Sequence, residues 1–152
     1  MKTAIVYVST HHGNTKKLVD AIAAAHDVAL IDGTKEKKVD LTEYDCIGFA
    51  SGIAFGSFYP QMLELMKNNL PESKRVFFIY TCGSKQKRYT NAAAKIATEK
   101  GCSILGEYGC RGFDTFGPFK IIGGIAKGHP NEREITGAVE FFNGILKQIP
   151  AN

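Results

Sequence analysis

A short polar segment, STHHGNT at residues 9–15, carries residue types that bind an anion. Hydroxyls and an amide surround a single glycine, and a helical pattern follows, so the free amides of a helix N-terminus would add further donors. A Walker loop would continue after Gly13 with Lys and then Ser or Thr, and a dinucleotide-binding loop would need three glycines. Neither pattern is present. The segment therefore predicts a site for a terminal phosphate monoester, such as that of a mononucleotide.

Two later segments, SGIAFGSFY at residues 51–59 and TCGS at residues 81–84, place glycines beside apolar or small polar residues. Glycine lets the main chain approach a flat ring closely, and an apolar side chain can then cover a face of that ring. Phe55 is favoured for this cover over Phe58, which equally suits packing beneath the next helix. The full set of candidates for the cover is Ile53, Phe55, Phe58 and Tyr59. Together the three segments describe FMN better than any other common cofactor.

The order of the predicted elements brings these segments to one edge of a sheet. Five apolar runs predict strands, and apolar residues at helical spacing follow every run except the second. The runs are Thr3 to Ser9, Asp27 to Ile31, Asp45 to Ser51, Arg75 to Thr81 and Ser103 to Cys110. This alternation predicts an α/β fold, a three-layer α/β/α sandwich whose five-stranded parallel sheet has the order 2-1-3-4-5. We expect one domain over residues 1–152, with a ligand at the carboxyl ends of strands 1 and 3.

Signals at the predicted helix ends fix where several of these helices begin or stop. Pro60 lies near the first turn of the second helix, and Gly101 follows the third. The segment NERE at residues 131–134 supplies a capping residue with Glu three positions later, and begins the last helix. Residues 32–45 are polar and lack an apolar stripe, which predicts a short or irregular connection.

Three features allow two interpretations each. Asp32 follows the first loop by about 20 residues, where a ribose-binding acid would lie, but the missing glycines favour a turn residue. Cys82 suits either a redox thiol or plain packing, and packing is favoured because no base is near it in sequence. The long glycine-rich segment at residues 109–130 forms either a lid or docking patch or a cover for the core. The aromatic residues concerned there are Phe113, Phe116 and Phe119.

The segment THHGNT, residues 10–15, resembles the phosphate loop of the flavodoxin family, with His12 replacing a hydroxyl residue. The resemblance covers the whole chain, and the uninterrupted fifth strand SILGEYGC is similar to that of short-chain members. It implies non-covalent FMN bound by residues of all three segments. These predicted cofactor-binding residues are Ser9, Thr10, His11, His12, Gly13, Asn14, Thr15, Ser51, Gly52, Ile53, Ala54, Phe55, Gly56, Thr81, Cys82 and Gly83.

The function implied by the resemblance is low-potential electron transfer, for which we predict no catalytic residue and no metal. An alternative is an NAD(P)H-dependent FMN oxidoreductase or quinone reductase on the same fold, in which the basic run KQKR at residues 85–88 holds a nicotinamide nucleotide. A response-regulator receiver has the same sheet order, but the third strand ends in FASG, without a phosphoacceptor aspartate.

Composition limits the partners and the compartment. The 152 residues are 44% apolar and carry a formal charge of +4. Flavodoxins are usually acidic, so this basic chain predicts a higher midpoint potential and acidic redox partner proteins. The positive residues lack the density that nucleic-acid binding needs. No leader or membrane span is evident, so we expect a cytoplasmic monomer or weak dimer with its four cysteines reduced.

Overall fold

The computed structural model of the chain describes residues 1–115 and 117–151. The strands run, in chain order, as β1 (Thr3–Val8), β2 (Ala29–Asp32), β3 (Cys46–Ala54), β4 (Ser57–Phe58), β5 (Arg75–Cys82) and β6 (Ser103–Arg111). The helices are α1 (Asn14–Ala25), α2 (Pro60–Asn69), α3 (Asn91–Glu99) and α4 (Glu132–Gln148), with a short 3-10 helix at Gly117–Lys120.

Five of these strands form a parallel sheet of order β2-β1-β3-β5-β6. This is the predicted order once β4 is set aside, because β4 pairs only with β3, in antiparallel fashion. The sequence did not predict β4. A strand of two residues is too short to show a period of two, and its residues were interpreted as loop.

The core occupies both faces of the sheet, because successive side chains of a strand point to opposite sides. Phe77 and Phe78 of β5 illustrate this, since each belongs to a different buried cluster. Phe78 packs in the cluster that contains Met62 of α2 and Ala93 of α3. Phe77 packs with residues of α1 and α4, including Phe142, whose ring centroid is 5.7 Å away. The result is the predicted three-layer α/β/α sandwich.

The predicted helix boundaries are confirmed at three positions. Pro60 is the first residue of α2, where its missing N–H costs no hydrogen bond. Asn131 and Glu134 form a reciprocal capping box at the start of α4. Gly101 follows α3 with φ +68°, a conformation that favours glycine.

The connection between β2 and β3 contains no helix, as predicted. Asp32 begins it as a turn residue, because its Oδ1 accepts hydrogen bonds from the backbone N–H and the hydroxyl of Thr34, at 2.9 and 2.6 Å. The turn interpretation of Asp32 is therefore confirmed. Further along, Asn69 of α2 accepts a hydrogen bond from the N–H of Val39 at 2.9 Å, which ties the connection to the sandwich.

The register of the sheet places the ends of β1, β3 and β5 side by side. Val8 lies opposite Ser51, and Gly52 lies opposite Thr81. The loops that leave these strands therefore share one edge of the sheet. No helix within the described residues is long and apolar enough to cross a membrane.

Candidate functional site

A cavity of about 370 Å³ opens at this edge of the sheet. Its volume lies within the range of roughly 300 to 1,000 Å³ that is usual for small-molecule and cofactor sites. The walls come from the three loops predicted from the sequence and from a fourth segment that follows β6. The lining residues are Ser9, Thr10, His11, Asn14, Thr15, Gly52, Ile53, Ala54, Phe55, Gly56, Tyr59, Thr81, Cys82, Gly83, Ser84, Gln86, Tyr89, Gly112, Phe113, Asp114 and Phe119.

One end of the cavity is the N-terminus of α1. Gly13, in the left-handed region at φ 66°, precedes the helix and has no side chain to cap it, and the first helical turn contains no acidic residue. The hydroxyl of Ser9 accepts a hydrogen bond from the N–H of Lys16 at 3.1 Å. That hydroxyl keeps its own hydrogen, which it can donate to a ligand. A helix N-terminus that has no acidic residue in its first turn and is flanked by hydroxyls favours an anion.

Two predicted anion-binding side chains, Asn14 and Thr15, are buried and hydrogen-bonded within the protein. The hydroxyl of Thr15 lies 2.8 Å from that of Thr81. The side-chain amide of Asn14 donates to the carbonyl of Phe113 at 2.8 Å. One of the two hydrogens of this amide is therefore bonded to the segment after β6, against which the first turn of α1 packs. Asn14 Oδ1 is buried without a hydrogen-bond partner among the described residues, so a ligand hydroxyl could donate to it.

The two histidines of the first loop hold the segment after β6 in place. His11 Nε2 accepts from the backbone N–H of Thr115 at 3.1 Å and lies 3.2 Å from Oδ1 of Asp114. His12 Nε2 lies 2.9 Å from the hydroxyl of Thr115, and its ring centroid is 4.5 Å from that of Phe113. His11 lines the cavity, whereas the ring of His12 faces this neighbouring segment.

His12, Gly13 and Ser51 are the predicted site residues that do not line the cavity. Ser51 is fully buried. Its hydroxyl donates to the carbonyl of Gly52 at 2.7 Å and accepts from the N–H of Tyr59 at 3.1 Å, so it holds the two ends of the second loop together. The other thirteen predicted residues all belong to the cavity wall.

The opposite end of the cavity is the hairpin that joins β3 to β4. Ala54 pairs with Ser57, so Phe55 and Gly56 form a two-residue turn, and both have positive φ, at 52° and 75°. Positive φ at both positions suits the twist of a hairpin, but for an aromatic residue it is strained. Phe55 is nonetheless 92% exposed at the cavity mouth. Strain of this kind concentrates at functional sites.

Tyr59, the residue after β4, also lines the cavity and forms a hydrogen bond with Thr10 of the first loop. A Cβ on Gly52 would lie 2.3 Å from the hydroxyl oxygen of Tyr59, so only glycine lets that ring pack there. Burial raises the pKa of Tyr59, against an opposing hydrogen bond with Thr10. Phe58, by contrast, is 1% exposed and packs edge-on against Phe78, which confirms the packing interpretation of Phe58.

The third loop combines a buried thiol with a glycine. The thiol of Cys82 donates to the carbonyl of Cys110 at 3.4 Å, and burial raises its pKa to about 11. Such a thiol stays protonated near neutrality, which supports packing rather than redox chemistry. A Cβ on Gly83 would lie 2.4 Å from Oδ2 of Asp114, so glycine is what lets the segment after β6 approach. The Tyr89 hydroxyl donates to the carbonyl of Ser84 at 2.7 Å and fixes the loop.

Several lining residues were missed or left open by the sequence. Phe113 and Phe119 both line the cavity, while Phe116 lies outside the described residues. Asp114 and Tyr89 had no signal in the sequence, because their place in the wall depends on tertiary contacts. The polar run after Gly83 was the one hint that Gln86 lies near a ligand. All four cysteines are free.

Comparison with known proteins identifies the family. A family model for the flavodoxin domain matches residues 5–106, about two thirds of the chain. The chain belongs to the flavodoxin domain family. An uncharacterised protein of Methanocaldococcus jannaschii is 37% identical over 150 residues, which cover 97% of this chain and 99% of the relative.

Solved structures of flavodoxin-like proteins have the same fold. A flavodoxin from the domain Archaea superimposes with a TM-score of 0.67 at 19% identity, over 97% of this chain and 98% of that one. A flavoprotein in complex with FMN from Lactobacillus acidophilus superimposes with a TM-score of 0.52 at 22% identity, over 72% of this chain and 92% of that one. At these identities the two likenesses establish the fold of this flavodoxin-domain protein.

Proposed function

We propose that this protein binds FMN in the cavity and carries electrons between redox partner proteins. The observation that carries the proposal is the polarity of the cavity: a helix N-terminus without an acidic residue at one end, and an uncharged hairpin with an exposed aromatic at the other. Asn14 lines the cavity, and its buried Oδ1 has no hydrogen-bond partner among the described residues, which suits a cofactor rich in hydroxyls. Flavodoxin structures, and the FMN complex of the related fold, support the same cofactor.

The residues of the first loop would hold the phosphate. Backbone amides at the start of α1 and the hydroxyls of Ser9 and Thr10 donate to its oxygens, and the helix dipole stabilises its charge. The Thr15 hydroxyl can accept from Thr81 and donate to the same phosphate, since a hydroxyl does both. Asp114 also lines the cavity, and its carboxylate, which would repel an anion, lies 3.2 Å from Nε2 of His11.

The hairpin and the third loop would border the flat ring. Gly52 and Gly83 keep the main chain close to the cavity, because a side chain at either position would collide with Tyr59 or Asp114. Among the described residues other than its chain neighbours, no atom lies within 4 Å of a Cβ placed on Gly56, so the space beside the turn is open. When bound, FMN supplies reversible uptake of electrons, while the protein sets its orientation and electrostatic surroundings.

The titratable groups of the described wall give no support to acyl-transfer catalysis. Cys82 and Tyr89 have pKa values raised by burial and donate to backbone carbonyls. His11 contacts Asp114 and Thr115. Among the described lining residues, these groups are engaged with the protein itself, and none forms the pair of nucleophile and base that acyl transfer would need.

The experiment that tests the proposal is purification, a visible spectrum, and identification of any cofactor released by acid. We expect a yellow protein with flavin absorption and FMN in the supernatant. Anaerobic addition of NADPH alone should leave the yellow colour, whereas rapid bleaching would favour the oxidoreductase alternative. A colourless protein that does not bind added FMN would contradict the proposal.

A further inference from the structure

We infer that the rim of the cavity is a docking surface for an acidic protein. We call this surface the basic rim and define it as the exposed residues of the hairpin turn at 55–56 and of the segments 84–88 and 120–127. That the docked protein exchanges electrons through the cavity rests on the proposed function. The surface itself follows from charge and exposure.

The positive charge of the protein is concentrated on the basic rim. Its segments 84–88 and 120–127 contain five basic residues and no Asp or Glu. All five side chains are exposed, and none forms an ion pair within the described part of the chain. The rest of the chain carries 14 Lys and Arg against 15 Asp and Glu, so the whole excess of +4 comes from the rim. The five residues are Lys85, Lys87, Arg88, Lys120 and Lys127.

The two basic segments lie beside each other and beside the cavity. Ser84, Gln86 and Phe119 line the cavity. A Cβ on Gly83 would lie 2.9 Å from Ile125 Cδ1, so the segments are in contact there. Both basic segments therefore border one opening, and their positive charge steers an oppositely charged partner toward it.

Exposed apolar side chains occupy the same surface. Phe55 is 92% exposed, Ile121 88% and Ile122 71%, and these are among the most exposed large apolar residues of the described chain. Apolar side chains bordered by charged ones are the usual composition of a protein interface. Single-stranded nucleic acid would need aromatic rings for its bases, and two of these three side chains are aliphatic. A second copy would bring one positive rim against another, so the charge favours an acidic protein.

The test is an amide NMR titration with two forms of one protein. The probes are a basic c-type cytochrome and the same cytochrome after succinylation of its lysines, which makes it acidic. At low ionic strength we expect the succinylated form to bind, with shift changes confined to residues 53–57, 83–89 and 119–128. The unmodified form should bind weakly or not at all. Added salt should weaken the binding, since exposed charges are screened beyond about 10 Å at 0.1 M.

Two variants of equal charge change locate the effect. Lys85→Glu with Lys87→Glu should weaken binding of the succinylated cytochrome roughly tenfold or more. Lys67→Glu with Lys147→Glu, in the last turns of α2 and α4 at the opposite edge of the sheet, should weaken it far less. Equal loss in both pairs, scattered shift changes, or preference for the unmodified cytochrome would overturn the inference. So would tighter binding of a single-stranded oligonucleotide, or self-association through the rim.

The titration is done on the protein both as purified and after addition of FMN, because NMR reports on the surface whether or not a flavin is present. Rim binding without any FMN binding would support the docking surface and contradict the proposed function. FMN binding without binding of the succinylated cytochrome at the rim would support the proposed function and contradict the docking surface.

Discussion

The two ends of the cavity are built in opposite ways. At the end formed by α1, Asn14 and Thr15 are buried and bonded to residues more than 60 positions away. At the hairpin end, Phe55 is almost fully exposed in a strained left-handed conformation. The first end owes its shape to packing, and the second to a local turn. The anion end should therefore be rigid and costly to change, and the ring end adaptable.

The largest expected effect comes from charge at the anion end. Gly13 has φ +66°, and no atom of the described residues beyond its chain neighbours lies within 4 Å of an added Cβ, so Asp and Asn fit equally and both tolerate this conformation. Gly13→Asp should weaken FMN binding by at least about a hundredfold, because two negative charges would meet at the helix N-terminus. Riboflavin, which lacks the phosphate, should bind the variant almost normally. Fluorescence titration with both flavins measures the difference.

The matched control is Gly13→Asn, which has the same shape without the charge. It should keep most of the FMN affinity. Gly13→Asp should also raise the unfolding free energy of the FMN-free protein above that of Gly13→Asn by about 0.3 to 1 kcal/mol, through the helix dipole. Equal FMN affinity in the two variants would place the phosphate elsewhere.

The next effect concerns the buried hydroxyl pair. Thr15→Val or Thr81→Val alone should lower the unfolding free energy by about 1 to 3 kcal/mol, since each leaves a buried hydroxyl unpaired. The double variant should regain most of this loss, because both polar groups are then gone. FMN affinity should stay reduced by roughly tenfold or more in Thr15→Val and in the double variant, and change little in Thr81→Val. Urea unfolding and FMN titration provide the two measurements, and additive stability losses would contradict the pairing.

At the hairpin end the expected effects on stability have opposite signs. Phe55→Gly should raise the unfolding free energy by about 1 kcal/mol, because it relieves the strain of positive φ. Gly56→Ala should lower it by about as much, since φ there is +75°. Phe55→Gly should also speed FMN release about two- to tenfold if the ring covers the flavin. A thermal unfolding series measures the stability changes and stopped-flow mixing measures FMN release. A destabilised Phe55→Gly would contradict the strain at this position.

The smallest effect appears only at high pH. Burial raises the pKa of Cys82 from 9.0 to about 11 and that of Cys46, at the far edge of the sheet, to about 12. The folded state therefore keeps protons that the unfolded state loses, so the unfolding free energy falls as pH rises above 9. Below pH 9 these thiols contribute no slope. Between pH 9 and pH 10, Cys82→Ala should lose about 1 kcal/mol less unfolding free energy than the unmodified protein. If the unfolding free energy falls equally with pH in both proteins, the buried Cys82 thiol is not the cause.

Local signals in the sequence predicted the fold and most of the cavity wall. Apolar runs marked the five parallel strands, Pro60 and the Asn131 capping box marked helix starts, and the STHHGNT segment marked the anion end. The hairpin strand β4 was missed because two residues show no periodicity. The bonds of His12 and Asn14 could not be predicted, since their partners lie about 100 residues later in the chain.

The basic rim shows the same limit. The sequence showed five basic residues in two segments, but not that Ile125 contacts the loop at Gly83 and so joins the segments around one opening. The basic rim therefore depends on a contact between segments that are distant in sequence, which the positions of the basic residues along the chain do not show.

The most direct test of the account is a comparison of FMN and riboflavin affinities for the cofactor-free protein. Tight FMN binding, with riboflavin bound far more weakly and with the FMN preference lost in Gly13→Asp, is the result that the account predicts. Equal affinities for the two flavins, or no binding of either, would contradict a phosphate site at the N-terminus of α1.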